Sequence, residues 1–319
     1  MAAQIRTQQF IRQVAFQPGA VVSMEIPRMA DIESLVVDFS GTFTYPAGAT
    51  GALKSLGPQA LIQRVELICD GKITVISAPG WTFGYASDRT FEGSGGGSTT
   101  QMTVPAANAA GTFSAQLYVD LMQFDGFRPK DSNLRVRSFS IVELKITFGN
   151  WTDCFVNAAS VPTVYAGTLT VDGNLCTEAD PETAKPKFVV KRTSQTIDAT
   201  SSNSSFQINL PAGNAIRALK FFTHVNGVAN DTILKNMAVT NGIDTRAQGS
   251  AVSFRNRVRG FKTVITGFNE IDFARQTRVG VLAANAWAVP SPSQPVLTLD
   301  FTGQAGAKIE MVVVEYVGA

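Results

Sequence analysis

The feature that most narrows what this chain can fold into is a repeat. Residues Val21 to Gly41, "VVSMEIPRMADIESLVVDFSG", return 184 positions later as "FQINLPAGNAIRALKFFTHVNG". At that offset Val22 falls on Phe206, Met24 on Ile208, Ile26 on Leu210, Pro27 on Pro211, Ile32 on Ile216, Leu35 on Leu219 and Val37 on Phe221. A chain of 319 residues has room for two cores, each of roughly 100–150 residues. The repeat therefore reads as two copies of one domain type.

Each copy reads as strands. "VVSMEIP", "SLVVDFSGTFTY", "LIQRVELICDGKITVIS", "FSAQLYVDL" and "FSIVELKITF" are short, rich in Val, Ile, Thr and Phe, and alternate at period two. "FQINLP", "IRALKFFTHV", "ILKNMAVTNG", "KTVITGF", "VLTLDF" and "KIEMVVVEYV" repeat the order in the second half. Asp70-Gly71 marks a hairpin, because its tight turn needs residues that tolerate positive φ, and Asn241-Gly242 stands at the matching place. Only "FIRQVAF" and "NDTILKNMA" suggest helix. The chain is expected to be all-β, in sandwiches, jelly rolls or barrels rather than a parallel sheet.

Two segments break the strand pattern. "VNAASVPTVYAGTLTVDGNLCTEADPETAKPK" reads as a connection carrying one hairpin. This gives a first domain over 1–155 with an N-terminal arm, a connecting segment over 156–184 and a second domain over 185–319. The other segment, from Ser77 to Gly111, holds the run "GSGGGSTT"; Ser94, Gly95, Gly96 and Gly97 have linker chemistry and are expected on a projecting surface loop.

Composition limits the function classes. Charged residues make up 16% of the chain, below the usual ~25%, which suits a protein that buries much of its outside against copies of itself. The net charge is +2, split as −1 up to residue 155 and +3 beyond it, so neither half carries the field of a nucleic-acid binder. Cys69, Cys154 and Cys176 have no CxxC spacing and are joined by a single histidine, which argues against zinc and against a disulfide framework. Arg6 and Arg12 interrupt any apolar run at the N-terminus, so a signal peptide is not expected. No apolar run approaches the ~20 residues of a spanning helix.

Catalytic signatures are missing: the chain has no GxxxxGK, GxSxG or HExxH, and no enzyme activity or cofactor is expected. His224 lies in a strand without a visible nucleophile or metal partner and reads as structural. In "FRNRVRGFK" an extended backbone would put Arg255, Arg257 and Arg259 on one face, as a subunit-contact stripe or a solvated strand face, and Arg135 and Arg137 in "LRVRSF" repeat the spacing. Arg6 and Arg12 could face an anionic membrane or belong to a disordered terminus. A calcium site using Asp125 or Asp131 is compatible with the sequence. Phe outnumbers Tyr and Trp, 21 against 5 and 3, which disfavours a sugar-stacking surface. The sequon matches "NWT", "NSS" and "NDT" are short enough to arise by chance.

Four segments carry a resemblance: "RVELICDGKI", "LMQFDGFRP" followed by "FSIVELKITF", "INLPAGNAIRALKFF", and the closing "LTLDFTGQAGAKIEMVVVEYVGA". In this order the chain resembles the double jelly-roll major capsid proteins of tailless icosahedral bacteriophages with an internal membrane. The likeness is to the corticovirus type, within the lineage of tectiviruses and adenoviruses. The segment Ser94 to Thr100 has no counterpart in that pattern. The resemblance implies two tandem eight-stranded antiparallel jelly rolls and a homotrimer with a pseudo-hexagonal footprint. It also implies a shell over a lipid membrane, with minor and penton capsid proteins as partners, and assembly into virions in the host cytoplasm. The rival reading is a two-domain β-sandwich that binds carbohydrate or acts as an adhesin.

Overall fold

The computed structural model describes residues 4–47, 52–84, 100–104, 108–121, 133–177, 188–259, 264–273, 287–288 and 294–318. The first half contains β1 (Gln4–Ala15), β2 (Val21–Glu25), β3 (Asp31–Thr44), β4 (Ile62–Cys69), β5 (Ile73–Ala78), β6 (Thr100–Thr103), β7 (Ala110–Asp120), β8 (Val142–Phe148) and β9 (Val164–Thr177). The second half contains β10 (Phe188–Asp198), β11 (Asn203–Asn209), β12 (Ala215–Val225), β13 (Val228–Ala229), β14 (Leu234–Asn241) and β15 (Asp244–Ser250). It continues with α1 (Ala251–Arg259), β16 (Phe268–Asp272), β17 (Trp287–Ala288), β18 (Val296–Phe301) and β19 (Ala307–Gly318).

In the first half the order β1-β9-β3-β7-β6 forms one sheet, and β2-β8-β4-β5 lies in the other. The second half repeats both orders, with β10-β19-β12-β16 in one sheet and β11-β18-β14-β15 in the other. Strands adjacent in the sheet are distant in the chain, the jelly-roll arrangement, so the fold is a double jelly roll. Alternate residues point inward: β8 alternates buried and half-buried along its whole length, and so does β18. Apolar area removed from water in each core stabilises it by roughly 25 cal/mol per Å².

The repeat seen in the sequence is a repeat of structure. Ile32 and Ile216, Leu35 and Leu219, and Val37 and Phe221 are all buried at matching places in β3 and β12. Both strands carry a register shift at the same step, between Ile32 and Ser34 and between Ile216 and Ala218. Ile26 N–H donates to Val142 O at 2.8 Å, and Leu210 N–H donates to Pro295 O at 2.8 Å. The Asp70-Gly71 turn has positive φ at both residues, 51° and 66°, and Lys72 N–H closes it onto Cys69 O, which is the type I′ geometry matched to strand twist. At Asn241-Gly242 only Gly242 has positive φ, so the second hairpin turns differently.

Four expectations are corrected. "FIRQVAF" belongs to β1, paired with β9, and "NDTILKNMA" leads into β14, paired with β15 and β18. Val164–Thr177, inside the segment expected to be a connection with one hairpin, is a single 14-residue strand, β9, lying between β1 and β3. Arg255, Arg257 and Arg259 lie on α1, not on a strand. The segment after β5 also holds more structure than a loop, since Trp81 and Phe83 are buried and β6 pairs with β7.

Among the described residues all strand pairs are antiparallel except one. β5 and β10 run parallel, Arg192 beside Ile76 and Thr193 beside Ser77, and this pairing joins a sheet of each barrel into one ten-stranded sheet. Its consequence is orientation. Connections at the end where β1 stops, which include residues 16–20, 45–47, 52–61 and 149–163, lie on the same side as residues 199–202, 226–233 and 302–306 of the second barrel. We call this the far end, and the end where β1 starts the near end. Hydrogen bonds confirm the alignment: Ser55 N–H donates to Gly227 O at 3.3 Å, and Ala229 N–H to Ser55 Oγ at 2.7 Å.

Candidate assembly surfaces

The contact between the barrels is built mainly by the turn after β5. Trp81 is 2% exposed; its ring packs 5.8 Å from Phe222 on β12, and its indole N–H donates to Glu310 on β19. Arg192 donates to Asp120 O and lies 6.0 Å over the Phe83 ring. Val312, Val314 and Tyr316, on the face of β19 that looks out of the second barrel, belong to the same apolar cluster as the first barrel's core. The two barrels thus share a continuous apolar contact.

His224 sits beside this contact. Its Nδ1 accepts from Gly227 N–H at 2.9 Å, which leaves Nε2 carrying the proton in the neutral ring, 3.3 Å from Glu310 Oε1. Glu310 therefore receives both Trp81 and His224, a structural arrangement consistent with the role expected of His224. A crevice of ≈ 620 Å³ opens here, lined by Lys54, Arg64, His224, Asn226, Lys308 and Glu310 among others. Among the described residues no group of three or more His, Cys, Asp or Glu side chains could hold a metal ion.

The arginines of α1 separate because a helix turns about 100° per residue. Arg255 is 6% exposed, pairs with Asp231 at 2.8 Å, and donates to Phe268 O and to Asn269 Oδ1 at 3.1 Å. Burial pulls its pKa down, and Asp231 opposes that shift. Arg257 and Arg259 are exposed, and Arg257 lies 5.3 Å over the Phe254 ring. There is no three-residue stripe: one arginine is a buried strut and two are exposed, Arg257 against Phe254 and Arg259 donating to Asn256 Oδ1 at 3.4 Å. Arg255→Ala is expected to cost about 1.5–3 kcal/mol, the range for hydrogen bonds to a charged group. Arg257→Ala and Arg259→Ala should stay within about 0.5 kcal/mol; urea unfolding of the three variants checks the split.

Arg6 and Arg12 lie on β1, in register with β9 rather than in a loose arm. Arg6 pairs with Leu175 close to the near end, while Arg12 lies six residues further along, about 20 Å away. Arg135 and Arg137 flank and enter a 3₁₀ turn, Val136–Ser138, and Arg137 comes 3.9 Å from Asp31. Ser94, Gly95, Gly96 and Gly97 fall outside the described residues, as do Asp125 and Asp131. β6, on the C-terminal side of the glycine run, lies toward the far end, opposite Arg6.

Two of the cysteines, Cys69 and Cys154, are inert in this fold. Cys69, Cys154 and Cys176 are buried and unpaired with one another. Burial, with help from Asp70, pushes the Cys69 thiol up to about 12, and burial raises that of Cys154 further. Neither is a nucleophile at neutral pH. Sequence reasoning missed Trp81, Glu310 and Arg192, which form the contact; the signal available was the paired apolar residues "WTF" inside a stretch otherwise read as loop.

No family model matches the chain, and no curated protein matches it in sequence. Solved structures do match. The STIV MCP, from Sulfolobus turreted icosahedral virus, aligns over 98% of this chain and 97% of its own, at 15% identity and a TM-score of 0.73. The major capsid protein P2 from bacteriophage PM2 aligns over 99% and 97%, at 12% identity and a TM-score of 0.61. The Faustovirus major capsid protein aligns over 99% and 90%, at 8% identity and a TM-score of 0.58. Likeness at such identities is likeness of fold, and it runs the full length of both barrels.

Proposed function

We propose that this chain is the major capsid protein of an icosahedral virus, a shell-building protein without catalysis. The observation that carries the reading is the pair of jelly rolls held side by side and pointing the same way by the parallel β5–β10 contact. Three such chains present six similar barrels around one axis, so a trimer acquires a pseudo-hexagonal outline and tiles a facet. The full-length likeness to capsid proteins of three different viruses supports it.

In this reading the far end faces outward, the direction we propose for the Ser94–Gly97 segment, and the near end, with Arg6, faces an internal lipid membrane. No described helix is long and apolar enough to cross a membrane, so contact would be at the surface. Neighbouring capsomers and minor or penton proteins would complete the virion shell after assembly in the host cytoplasm. The carbohydrate-binding alternative loses ground because Trp81 and Trp151 are buried, 2% and 3% exposed, and cannot stack on a sugar.

Light scattering on the native protein tests the reading. Three chains of 34.0 kDa are expected, unchanged by chelator if no structural metal holds them. A monomer would overturn the trimer and send the search to a glycan screen.

A further inference from the structure

The contact that joins the barrels inside the chain has a counterpart that is open. Leu35 corresponds to Leu219 in the repeat, and they pair with Gly173 and Val313; those residues pair in turn with Gln8 on β1 and Thr193 on β10. Likewise Met24 corresponds to Ile208, which leads through Leu144 and Leu297 to Leu67 and Val239, and from these to Ile76 on β5 and Ala247 on β15. The intrachain neighbours Thr193 and Ser77 therefore correspond to Gln8 and Gln248.

Among the described residues β1 pairs only with β9, and β15 only with β14. Both are free edges, 12 and 7 residues long. Long uncovered edges are templates for pairing with another chain. Gln248 is exposed and Gln8 half-buried, so both are within reach of a partner.

The faces beside these edges differ in a telling way. On the second barrel the outward face of β12 and β19 carries four apolar residues, Ala218, Phe222, Val312 and Val314, buried against the first barrel, with Lys220 buried among them. The corresponding residues of the first barrel are Ser34, Asp38, Asp172 and Asn174. Three of them are hydrogen-bonded: Asn174 Nδ2 donates to Ser34 Oγ at 2.9 Å, Thr7 Oγ1 donates to Asn174 Oδ1 at 3.1 Å, and Gln116 Nε2 donates to Asp38 Oδ1 at 2.7 Å. A face covered from the moment of folding can be largely apolar, whereas an interface between chains that also exist apart is only about as apolar as ordinary protein surface.

We infer that β15 of one protomer pairs in parallel with β1 of the next, Gln248 beside Gln8, so that the contact within the chain is repeated between chains. The occupant is a second copy of this protein, and the contact is head-to-tail. Six equal steps around an axis close a ring of three chains. This inference rests on the trimer reading above and assigns its seam.

Neighbouring strands lie about 4.8 Å apart, inside the Cα separation of about 4.4–6.8 Å that a disulfide spans. The test is the full-length double variant Gln8→Cys with Gln248→Cys, oxidised with copper phenanthroline and resolved on a denaturing gel without reductant. The expected result is a covalent ladder ending at three chains and collapsing on reduction. Gln8→Cys alone and Gln248→Cys alone should give no covalent dimer, and mixing the two single variants before assembly should give one. A protein that scatters as a trimer yet forms no bond between these positions would overturn the seam and leave the trimer standing. A protein that scatters as a monomer would overturn the trimer reading and the seam with it. Urea midpoints of the reduced variants equal to the parent's show that the fold is intact in each case.

Discussion

Trp81→Ala is expected to lower the unfolding free energy by about 3–5 kcal/mol, the cost of truncating a large buried aromatic. The ring is 2% exposed, packs on Phe222, and its N–H is a donor to Glu310. Truncation opens a cavity between the barrels and takes the Trp81 donor from a carboxylate whose other side-chain partner among the described residues is His224. Because the apolar cluster is continuous across the contact, the parent should unfold in one transition, and the variant should lose that coupling. Urea unfolding followed by tryptophan fluorescence and by circular dichroism measures both. Coincident transitions in the variant with a loss under about 1 kcal/mol would show that the barrels are held together elsewhere.

Gly41→Ala should be nearly as damaging, about 3 kcal/mol or more, for the opposite reason: overfilling. Gly41 on β3 faces Gly167 on β9, and a methyl group there would overlap Ala166 O and come within 2.6 Å of Gly167 Cα and the Phe113 ring. Two of those neighbours are backbone and cannot rotate away. The glycine pair leaves the space in which Phe16, Phe39 and Phe113 stack, with ring centroids 5.0 to 6.4 Å apart. The expected reading is a large drop in the thermal midpoint or insoluble expression; a midpoint within a degree or two of the parent would mean that β3 and β9 can separate at little cost.

Those glycines also explain which strand was illegible. In "VYAGTLTVDGNLCT" the alternation of Leu169, Val171 and Leu175 is present, but Gly167 and Gly173 sit where inward residues belong. The positions are glycines because aromatic rings occupy their space: Phe113 and Phe16 over Gly167, and Phe10 over Gly173. Read locally, glycine in a strand signals a break; read in three dimensions, it marks close approach. The duplication was legible because both copies need the same buried residues at the same steps, from Ile32 and Ile216 to Val37 and Phe221.

The arginines of α1 misled for a related reason. Arg255, Arg257 and Arg259 alternate as a strand would, yet Ala251, Phe254 and Val258, all buried, follow the helical spacing. Two periodicities overlap in nine residues, and packing against β16 decides between them. The inter-barrel contact was illegible because its partners are remote in the chain: "WTF" marks a buried turn without saying what covers it, and Trp81 and Glu310 are 229 residues apart.

The ten-stranded sheet has a mechanical consequence. Its strands lie side by side across both barrels, so a lateral pull, perpendicular to the strands, loads the β5–β10 junction in peeling rather than in shear. Only two residue pairs hold the backbones together there, against eleven between β10 and β19. Resistance to stretching then falls on interlocked side chains, Trp81 against Phe222 and Arg192 over Phe83, which can slide before they part. The molecule is stiff along its strands and yields first across them, at the line where one half of the chain meets the other.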